Sequence, residues 1–279
     1  MVSAMTQQRL AFIGAGNMAR SLVGGLIADG WDPAVIGVSD PDAHQLSALT
    51  AHFKVSTDTD NRAILAGRDV VVLAVKPQIL REVASSIADQ IQQSCPLVIS
   101  IAAGIRSSDL ERWLGGNCAV VRCMPNTPAL VQTGATALFA TRKVSNEQKD
   151  LAESILRAAG LTVWVDDEEL LDAVTALSGS GPAYFFLVME ALEEAGITLG
   201  LGRQTSRLLT LQTALGAAKM ALESNDDTAV LRQRVTSPGG TTERALEVFE
   251  DGKLRALFVE ALTAARDRSR ELADQLGGE

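Results

Sequence analysis

A turn near the C-terminus has the composition of a carboxylate site. Its sequence is Val235-Thr236-Ser237-Pro238-Gly239-Gly240-Thr241-Thr242-Glu243, and it leads into a predicted helix. The glycines let successive backbone N–H groups face one concave surface, and the helix N-terminus adds positive potential. Hydroxyls at Ser237, Thr241 and Thr242 can orient a bound carboxylate further. A capped helix start, with Gly240 near the cap and Glu243 three residues on, explains only one or two of these residues.

A second glycine pattern lies near the N-terminus. The apolar run 10–13 is followed by Gly14-Ala15-Gly16-Asn17-Met18-Ala19 and then by an amphipathic run to Asp29. Between a strand and a helix, this spacing is typical of dinucleotide binding. Gly14 allows the tight turn, Gly16 lets the backbone approach a pyrophosphate, and Ala19 lets the helix pack close to the strand. The pattern favours a dinucleotide cofactor over an ordinary glycine turn.

Other chemistry is limited by composition. His44 and His52 are the only histidines, so neither a histidine zinc site nor a histidine proton donor is expected. The three cysteines, Cys95, Cys118 and Cys123, lack zinc-type spacing and are expected to be reduced. We therefore predict no metal.

The net charge of −9 argues against a nucleic-acid partner and against an anionic membrane surface. No N-terminal stretch has the layout of a signal peptide, and no apolar run is long enough to span a bilayer. We expect a cytoplasmic protein with no membrane partner.

Alternating strands and helices precede residue 166, and they predict a doubly wound parallel sheet of the Rossmann type. The predicted strands are 10–13, 35–39, 54–56, 70–75, 97–101, 119–124, 136–140 and 161–165. The predicted helices between them include 42–52, 79–91 and 146–159. We assign residues 1–166 to a dinucleotide-binding domain of an α/β protein.

Residues 167–279 contain no convincing strand and form a second, all-helical domain. Helices are predicted at 168–177, 182–195, 203–222, 228–234, 241–249 and 254–275. The helix from Pro182 is apolar on every side, from Tyr184 to Met189. We call this stretch from Tyr184 to Met189 the apolar girdle. Its apolar surface must be buried on all sides of the helix, and we expect a partner subunit to bury it.

Five motifs in order resemble those of pyrroline-5-carboxylate reductases and span essentially the whole chain. They are the glycine turn 14–19, Ala74-Val75-Lys76-Pro77, Arg122-Cys123-Met124-Pro125-Asn126-Thr127-Pro128, Ser178-Gly179-Ser180-Gly181-Pro182-Ala183-Tyr184, and the turn 237–242. The resemblance implies reduction of the C=N bond of L-1-pyrroline-5-carboxylate by NAD(P)H to give L-proline, the last step of proline synthesis. It also implies a Rossmann domain followed by a helical dimerisation domain, whose dimers often assemble into a decamer.

The resemblance also implies roles for individual residues. Thr242 faces the ring nitrogen as the catalytic residue, and Ser237, Gly239, Gly240 and Thr241 hold the substrate carboxylate. Glu168 lies near the substrate, where a carboxylate favours the iminium form. The implied cofactor contacts are Gly14, Ala15, Gly16, Asn17, Met18, Ala19, Ser39, Asn61, Ala74, Val75, Lys76, Pro77, Ala102 and Ala103. Arg234 stands where better-known members often carry asparagine.

Cofactor choice is open at the end of the second strand, Ser39-Asp40-Pro41-Asp42. Asp40 could bind the ribose 2′-hydroxyl of NAD and repel NADP, and no arginine is close by. The family tends towards NADPH through groups matching Ser39 and Asn61. The resemblance therefore implies NADPH, with NADH accepted.

Two other functions remain open. A relative of the β-hydroxyacid dehydrogenases would need a catalytic lysine on a helix of the second domain, and Lys219 is the candidate. A nicotinamide-sensing or scaffold protein would bind the cofactor without turnover. The intact turn 237–242 argues against this second alternative.

Overall fold

The computed structural model describes residues 8–278, so the first seven residues and the last residue of the predicted domains lie outside it. The chain forms two compact units. The first runs to Ser180 and takes up the chain again from Ala265, and the second is Gly181–Ala264. The units divide after Ser180, whereas composition places the domain boundary at residue 166. The C-terminal segment from Ala265 belongs to the first unit.

The first unit contains an eight-stranded sheet with the order β3-β2-β1-β4-β5-β6-β7-β8. The strands are β1 Leu10–Ile13, β2 Ile36–Ser39, β3 Ser56–Asp58, β4 Val70–Leu73, β5 Leu97–Ser100, β6 Ala119–Met124, β7 Gly134–Ala140 and β8 Gly160–Trp164. Strands β1 to β6 are parallel, and the order reverses between β1 and β4. The predicted doubly wound sheet is confirmed.

One strand is an exception to the parallel arrangement. Strand β7 runs antiparallel to β6, and β8 is parallel to β7. The reason is the connection between β6 and β7, which contains only the short 3₁₀ turn Thr127–Val131. A parallel crossover needs a dozen or more residues, so this connection can only reverse the chain.

Seven α-helices of the described residues lie entirely within the first unit. They are α1 Asn17–Ala28, α2 Ala43–Phe53, α3 Asn61–Leu65, α4 Pro77–Ser94, α5 Ser107–Trp113, α6 Asn146–Arg157 and α7 Leu170–Val174. Alternate residues of β1 belong to different apolar clusters: Leu10 and Phe12 to one, Ala11 and Ile13 to the other. Both faces of the sheet are therefore covered, as the apolar runs of the central strands require.

Several local features differ from the predictions. Strand β3 begins at Ser56 because Lys54 ends α2 in the left-handed conformation, with φ 60°. The short helix α3 was missed; Asp60 caps it by accepting the Arg62 N–H. The predicted helix 168–177 is instead α7 followed by the π-helical turn Thr175–Gly179.

The second unit is helical, and residues 166–278 contain no strand, as predicted. Its helices are α8 Gly181–Thr198, α9 Arg203–Glu223, α10 Thr228–Arg234, α11 Thr241–Asp251 and the first part of α12 Leu254–Gly277. Helices α8 and α9 approach closely, since Ser206 Oγ donates to the Glu193 carbonyl at 2.8 Å. Of residues 181–264, only Gly181 and Ser206 are buried. This unit has no apolar core of its own.

Candidate functional site

The glycine turn joins β1 to α1. Gly14 has φ +105°, and its N–H donates to the Ser39 carbonyl at 2.7 Å. An added Cβ at Gly14 would lie 2.7 Å from the Ala74 carbonyl oxygen, whereas one at Gly16 would meet no atom within 4 Å. Gly16 is the N-cap of α1 and no side chain caps the helix. The first-turn N–H groups therefore have no side-chain acceptor, as a phosphate site requires.

The other predicted cofactor residues follow neighbouring strands. Ala74, Val75, Lys76 and Pro77 lie between β4 and α4, and Ala102 and Ala103 come just after β5. The Ala74 N–H donates to the Ile13 carbonyl at 2.8 Å. Because β1, β4 and β5 are adjacent and parallel, these segments meet at the carboxyl edge of the sheet. This edge includes the switch point, where doubly wound folds bind their ligands.

Ser39 and Asn61 meet at the end of β2. Ser39 is fully buried, and its Oγ donates to Asn61 Oδ1 at 2.8 Å. Beside them, Asp40 Oδ2 accepts the Ala15 N–H at 2.8 Å. Ser39 and Asn61, the two residues that the resemblance links to NADPH, are therefore in contact. Asp40 is hydrogen-bonded to the glycine turn.

The predicted carboxylate turn precedes α11 in the second unit. Gly239 has φ +71°, and Gly240 is the N-cap and donates its N–H to the Ser237 carbonyl at 2.9 Å. The Gly239 N–H donates to the Glu243 carboxylate at 2.7 Å. This contact differs from the capping box, since Glu243 reaches past the N-cap residue. An amide of the turn thus already binds a carboxylate.

The hydroxyl groups of this turn are available to a ligand. Ser237, Thr241 and Thr242 are exposed. Within residues 8–278, none of their side chains makes a hydrogen bond, and none caps α11. These hydroxyls therefore have no structural task that the fold reveals.

Glu168 has a set of partners in the first unit. Its Oε1 accepts the Ser107 N–H at 2.7 Å and Arg122 Nη1 at 2.9 Å, and its Oε2 accepts Ser107 Oγ at 2.6 Å. The Arg122 side chain is only 6% exposed. Glu168 is therefore the counter-ion of a buried guanidinium, and a substrate contact would have to be shared with these bonds. Sequence reasoning missed this pairing, because the partners are 46 and 61 residues away.

We expect Glu168→Gln to lower the free energy of unfolding by about 3 kcal/mol, because it leaves a buried charge unpaired. Chemical denaturation measures this loss. Arg122→Met together with Glu168→Gln should recover part of it. An unchanged free energy of unfolding in Glu168→Gln would contradict the pairing as a stabilising contact, and a raised KM in the folded variant would show that Glu168 also contacts substrate.

Two further candidates are engaged on the surface of the second unit. Arg234 forms an ion pair with Asp226, and Lys219 lies 3.7 Å from Glu223, one helical turn away. Both members of the Lys219 pair are about two-thirds exposed, at 68% and 69%. An exposed pair of this kind is ordinary helix surface.

Neither the Cys123 thiol nor a cluster of metal ligands supplies chemistry in the described part of the chain. Cys123 is buried, and burial raises the pKa of its thiol, which keeps it protonated and unreactive. No three His, Cys, Asp or Glu side chains among residues 8–278 are placed to hold a metal ion. Each helix within the same residues is too short or too polar to cross a membrane.

Two family models match the chain. Residues 168–272 match the model of pyrroline-5-carboxylate reductase dimerisation. Residues 9–104 match the model of coenzyme F420-dependent NADP oxidoreductases. The second match covers the glycine turn and the ends of β2, β4 and β5, where the predicted cofactor residues lie.

Individual relatives match over nearly the full length. The pyrroline-5-carboxylate reductase of Pseudomonas aeruginosa is 52% identical, over 98% of this chain and 100% of that protein. The structure of a pyrroline-5-carboxylate reductase from Coxiella burnetii is 51% identical with a TM-score of 0.93, over 95% of this chain and 98% of that one. The Plasmodium falciparum enzyme, solved with NADP bound, is 29% identical with a TM-score of 0.84, over 97% and 100% of the two chains. The chain belongs to the pyrroline-5-carboxylate reductase family.

Proposed function

We propose that this protein reduces L-1-pyrroline-5-carboxylate to L-proline with NAD(P)H, the last step of proline biosynthesis. The observation that carries the proposal is the full-length identity of 52% to an enzyme of that name. The turn 237–242 supports a substrate that carries a carboxylate. Its hydroxyl groups are available to a ligand, and its Gly239 N–H already donates to the carboxylate of Glu243.

The chemistry of a cyclic imine suits a site without a strong acid. When bound, the reduced nicotinamide supplies a hydride to the carbon of the C=N bond and becomes NAD(P)⁺. The protonated imine is already polarised, and the amine product keeps the nitrogen proton. The protein must therefore position the ring and bind its nitrogen, and need not deliver a proton during the step.

We assign these tasks to the turn before α11. Ser237, Gly239, Gly240 and Thr241 hold the substrate carboxylate, and the Thr242 hydroxyl binds the ring nitrogen. In this arrangement the substrate carboxylate replaces the Glu243 carboxylate, which accepts the Gly239 N–H at 2.7 Å. Glu168 contributes indirectly, by neutralising Arg122.

We assign the cofactor to the carboxyl edge of the sheet. The N-terminus of α1 and the segments after β4 and β5 bind the dinucleotide. Ser39 and Asn61 lie at the end of β2, beside the position of the 2′-phosphate. NADPH is the proposed donor and NADH is accepted. The relative with NADP bound supports a nicotinamide donor for the fold.

We further propose a homodimer built by the second unit, with a decamer as the larger assembly. The apolar girdle of α8 is exposed in the single chain, with Phe185 at 68% and Leu187 at 65%. A helical unit with two buried residues cannot balance the entropy of ordering its chain. A second copy supplies the missing apolar contacts. The cytoplasmic location stays a prediction.

We expect Leu187→Glu to dissociate the dimer, because it places a charge in an apolar interface. Sedimentation velocity on the purified protein measures the change. Val131→Glu is the matched control, since Val131 is 71% exposed but lies in the first unit. A stable, fully active monomer of the unmodified protein would contradict the proposal that α8 forms a dimer interface.

The activity is tested by following the oxidation of NADPH and of NADH through their absorbance in the presence of pyrroline-5-carboxylate. A parallel series offers a 2-hydroxy acid or 3-hydroxy acid with NADP⁺. Turnover of a hydroxy acid alone would favour the dehydrogenase alternative, although the exposed pair of Lys219 gives it no support. Cofactor binding without any turnover would indicate a sensing protein.

A further inference from the structure

We infer that Asn126 is a positioning residue for hydride transfer, an inference that rests on the proposed function. Asn126 follows β6 in the first unit, which also contains the π-helical turn Thr175–Gly179. The Asn126 Nδ2 donates to the Ser178 carbonyl at 3.0 Å, and its Oδ1 accepts the Ala135 N–H at 2.9 Å. One amide group thus joins the end of β6, the start of β7 and the π-helical turn.

The Asn126 side chain does not form the helix cap for which its position is suited. Asn126 is the N-cap of the 3₁₀ turn Thr127–Val131, and asparagine at a helix N-cap commonly accepts an N–H of the turn that follows. Here no side-chain cap forms, and the two ends of the amide bind partners 9 and 52 residues away. The side chain therefore makes tertiary contacts rather than a local one.

The α-helical donor for the Ser178 carbonyl is missing. In an α-helix this carbonyl would accept the N–H of residue 182, but Pro182 has no N–H. The chain forms a π-helical turn at this place, in which the Ser180 N–H donates to the Thr175 carbonyl at 2.8 Å. Turns of this kind are rare, and many lie at functional sites. Asn126 supplies the donor that Pro182 lacks and thereby fixes the turn.

The π-helical turn also packs tightly on the end of β6. An added Cβ at Gly179 would overlap the side chain of Met124, which is the last residue of β6. Strand β6 is parallel to its neighbour β5, so both strands end at the same edge of the sheet. The turn therefore lies at the carboxyl edge that also carries the proposed cofactor residues Ala102 and Ala103, which follow β5.

The order of the strands places the reacting end of the cofactor on this side of the sheet. The proposed site has the adenosine end at β2 and the pyrophosphate at the N-terminus of α1, which follows β1. In the order β2-β1-β4-β5-β6, the rest of the dinucleotide extends towards β5 and β6. The turn that Asn126 fixes is thus on the nicotinamide side, where a displacement of about 1 Å can slow a reaction by about a hundred-fold.

The test measures hydride transfer in a single turnover, by mixing the complex of enzyme and NADPH with pyrroline-5-carboxylate in a stopped-flow instrument. Asn126→Asp keeps the acceptor for the Ala135 N–H but loses the donor to the Ser178 carbonyl. Asn126→Ser loses the amide without adding a charge. Thr133→Ala is the matched control, because Thr133 is exposed in the same connection and donates to the Pro128 carbonyl at 3.4 Å rather than to the π-helical turn.

We expect both Asn126 variants to slow hydride transfer by about ten-fold or more, because the reacting atoms lose their alignment. The affinity for 2′-phospho-ADP-ribose, measured by calorimetry, should stay at the parental value, since its proposed contacts at α1 and β2 are untouched. Thr133→Ala should keep the parental values of both quantities. Melting temperatures confirm that the assayed proteins are folded.

Parental hydride transfer in either folded Asn126 variant overturns the inference. An equal loss in Thr133→Ala, or a matching loss of affinity for 2′-phospho-ADP-ribose, overturns it as well, because the effect would then be a general disturbance of the unit. Failure of both Asn126 variants to fold would make Asn126 a structural residue only. If the unmodified protein oxidises no NADPH with pyrroline-5-carboxylate, the proposed function itself is wrong, so the two failures are distinguished.

Discussion

Gly16→Val should abolish cofactor binding in a protein that still folds. Gly16 has φ −66° and ψ 178°, a conformation open to any residue, and its added Cβ meets no atom within 4 Å. The new side chain would instead occupy the space over the first turn of α1, where the pyrophosphate is proposed to bind. Loss of two charge-assisted hydrogen bonds would weaken binding by about a hundred-fold or more. Fluorescence titration with NADPH measures the change.

Gly14→Val is the matched control for this experiment. Gly14 has φ +105°, and its Cβ would lie 2.7 Å from the Ala74 carbonyl oxygen. We expect this variant to lose stability as well as binding, because the backbone itself is strained. A stable Gly16→Val protein that binds NADPH like its parent would remove the glycine turn from the cofactor site.

Thr242→Ala should lower kcat/KM by about ten- to a hundred-fold, since a hydrogen bond to a charged group contributes about 1.5–3 kcal/mol. The Thr242 hydroxyl is exposed and makes no hydrogen bond within the described residues. Its removal should therefore leave the melting temperature nearly unchanged. Binding of a competitor that carries only the carboxylate should hold, because its main contacts are backbone amides.

Thr228→Ala is the control for Thr242→Ala. Both threonines lie in the first turn of a helix, Thr228 in α10 and Thr242 in α11. Both are exposed and belong to the second unit. The control variant should keep both its kinetics and its stability. Near-normal kinetics in Thr242→Ala would exclude Thr242 as a catalytic residue and leave the carboxylate turn as the supported part of the substrate site.

Local patterns were sufficient to predict most of the first unit. The predicted first and last residues of strand β6 agree with the structure, because residues 119–124 are largely apolar and a turn bounds them on each side. The glycine turn was predictable because Gly14 must adopt a positive φ against a neighbouring strand. The alternation of strands and helices along the chain did not predict the direction of β7. That direction follows from the connection between β6 and β7, which contains a short 3₁₀ turn in place of a crossover helix.

The pairings within the candidate site depend on the fold and escaped sequence reasoning. Arg122 and Glu168 meet only because the end of β6 lies near the start of α7. Asp40 was recognised by its position after β2, but its bond to Ala15 is a tertiary contact. A capping box, the alternative considered for this turn, would pair Glu243 with the amide of the N-cap residue Gly240, whereas its carboxylate accepts the Gly239 N–H. The contacts of Arg122 with Glu168 and of Asp40 with Ala15 join distant parts of the chain, so they leave no periodic pattern in the sequence.

In the proposed reaction, hydride passes from the nicotinamide to the carbon of an imine. This transfer is tested most directly by supplying pyrroline-5-carboxylate and NADPH that carries deuterium at the transferable position of C4. We expect mass spectrometry and NMR to show proline with a single deuterium on its δ-carbon, which is the former imine carbon. Consumption of NADPH without labelled proline, or label at any other carbon, would contradict the proposed reaction.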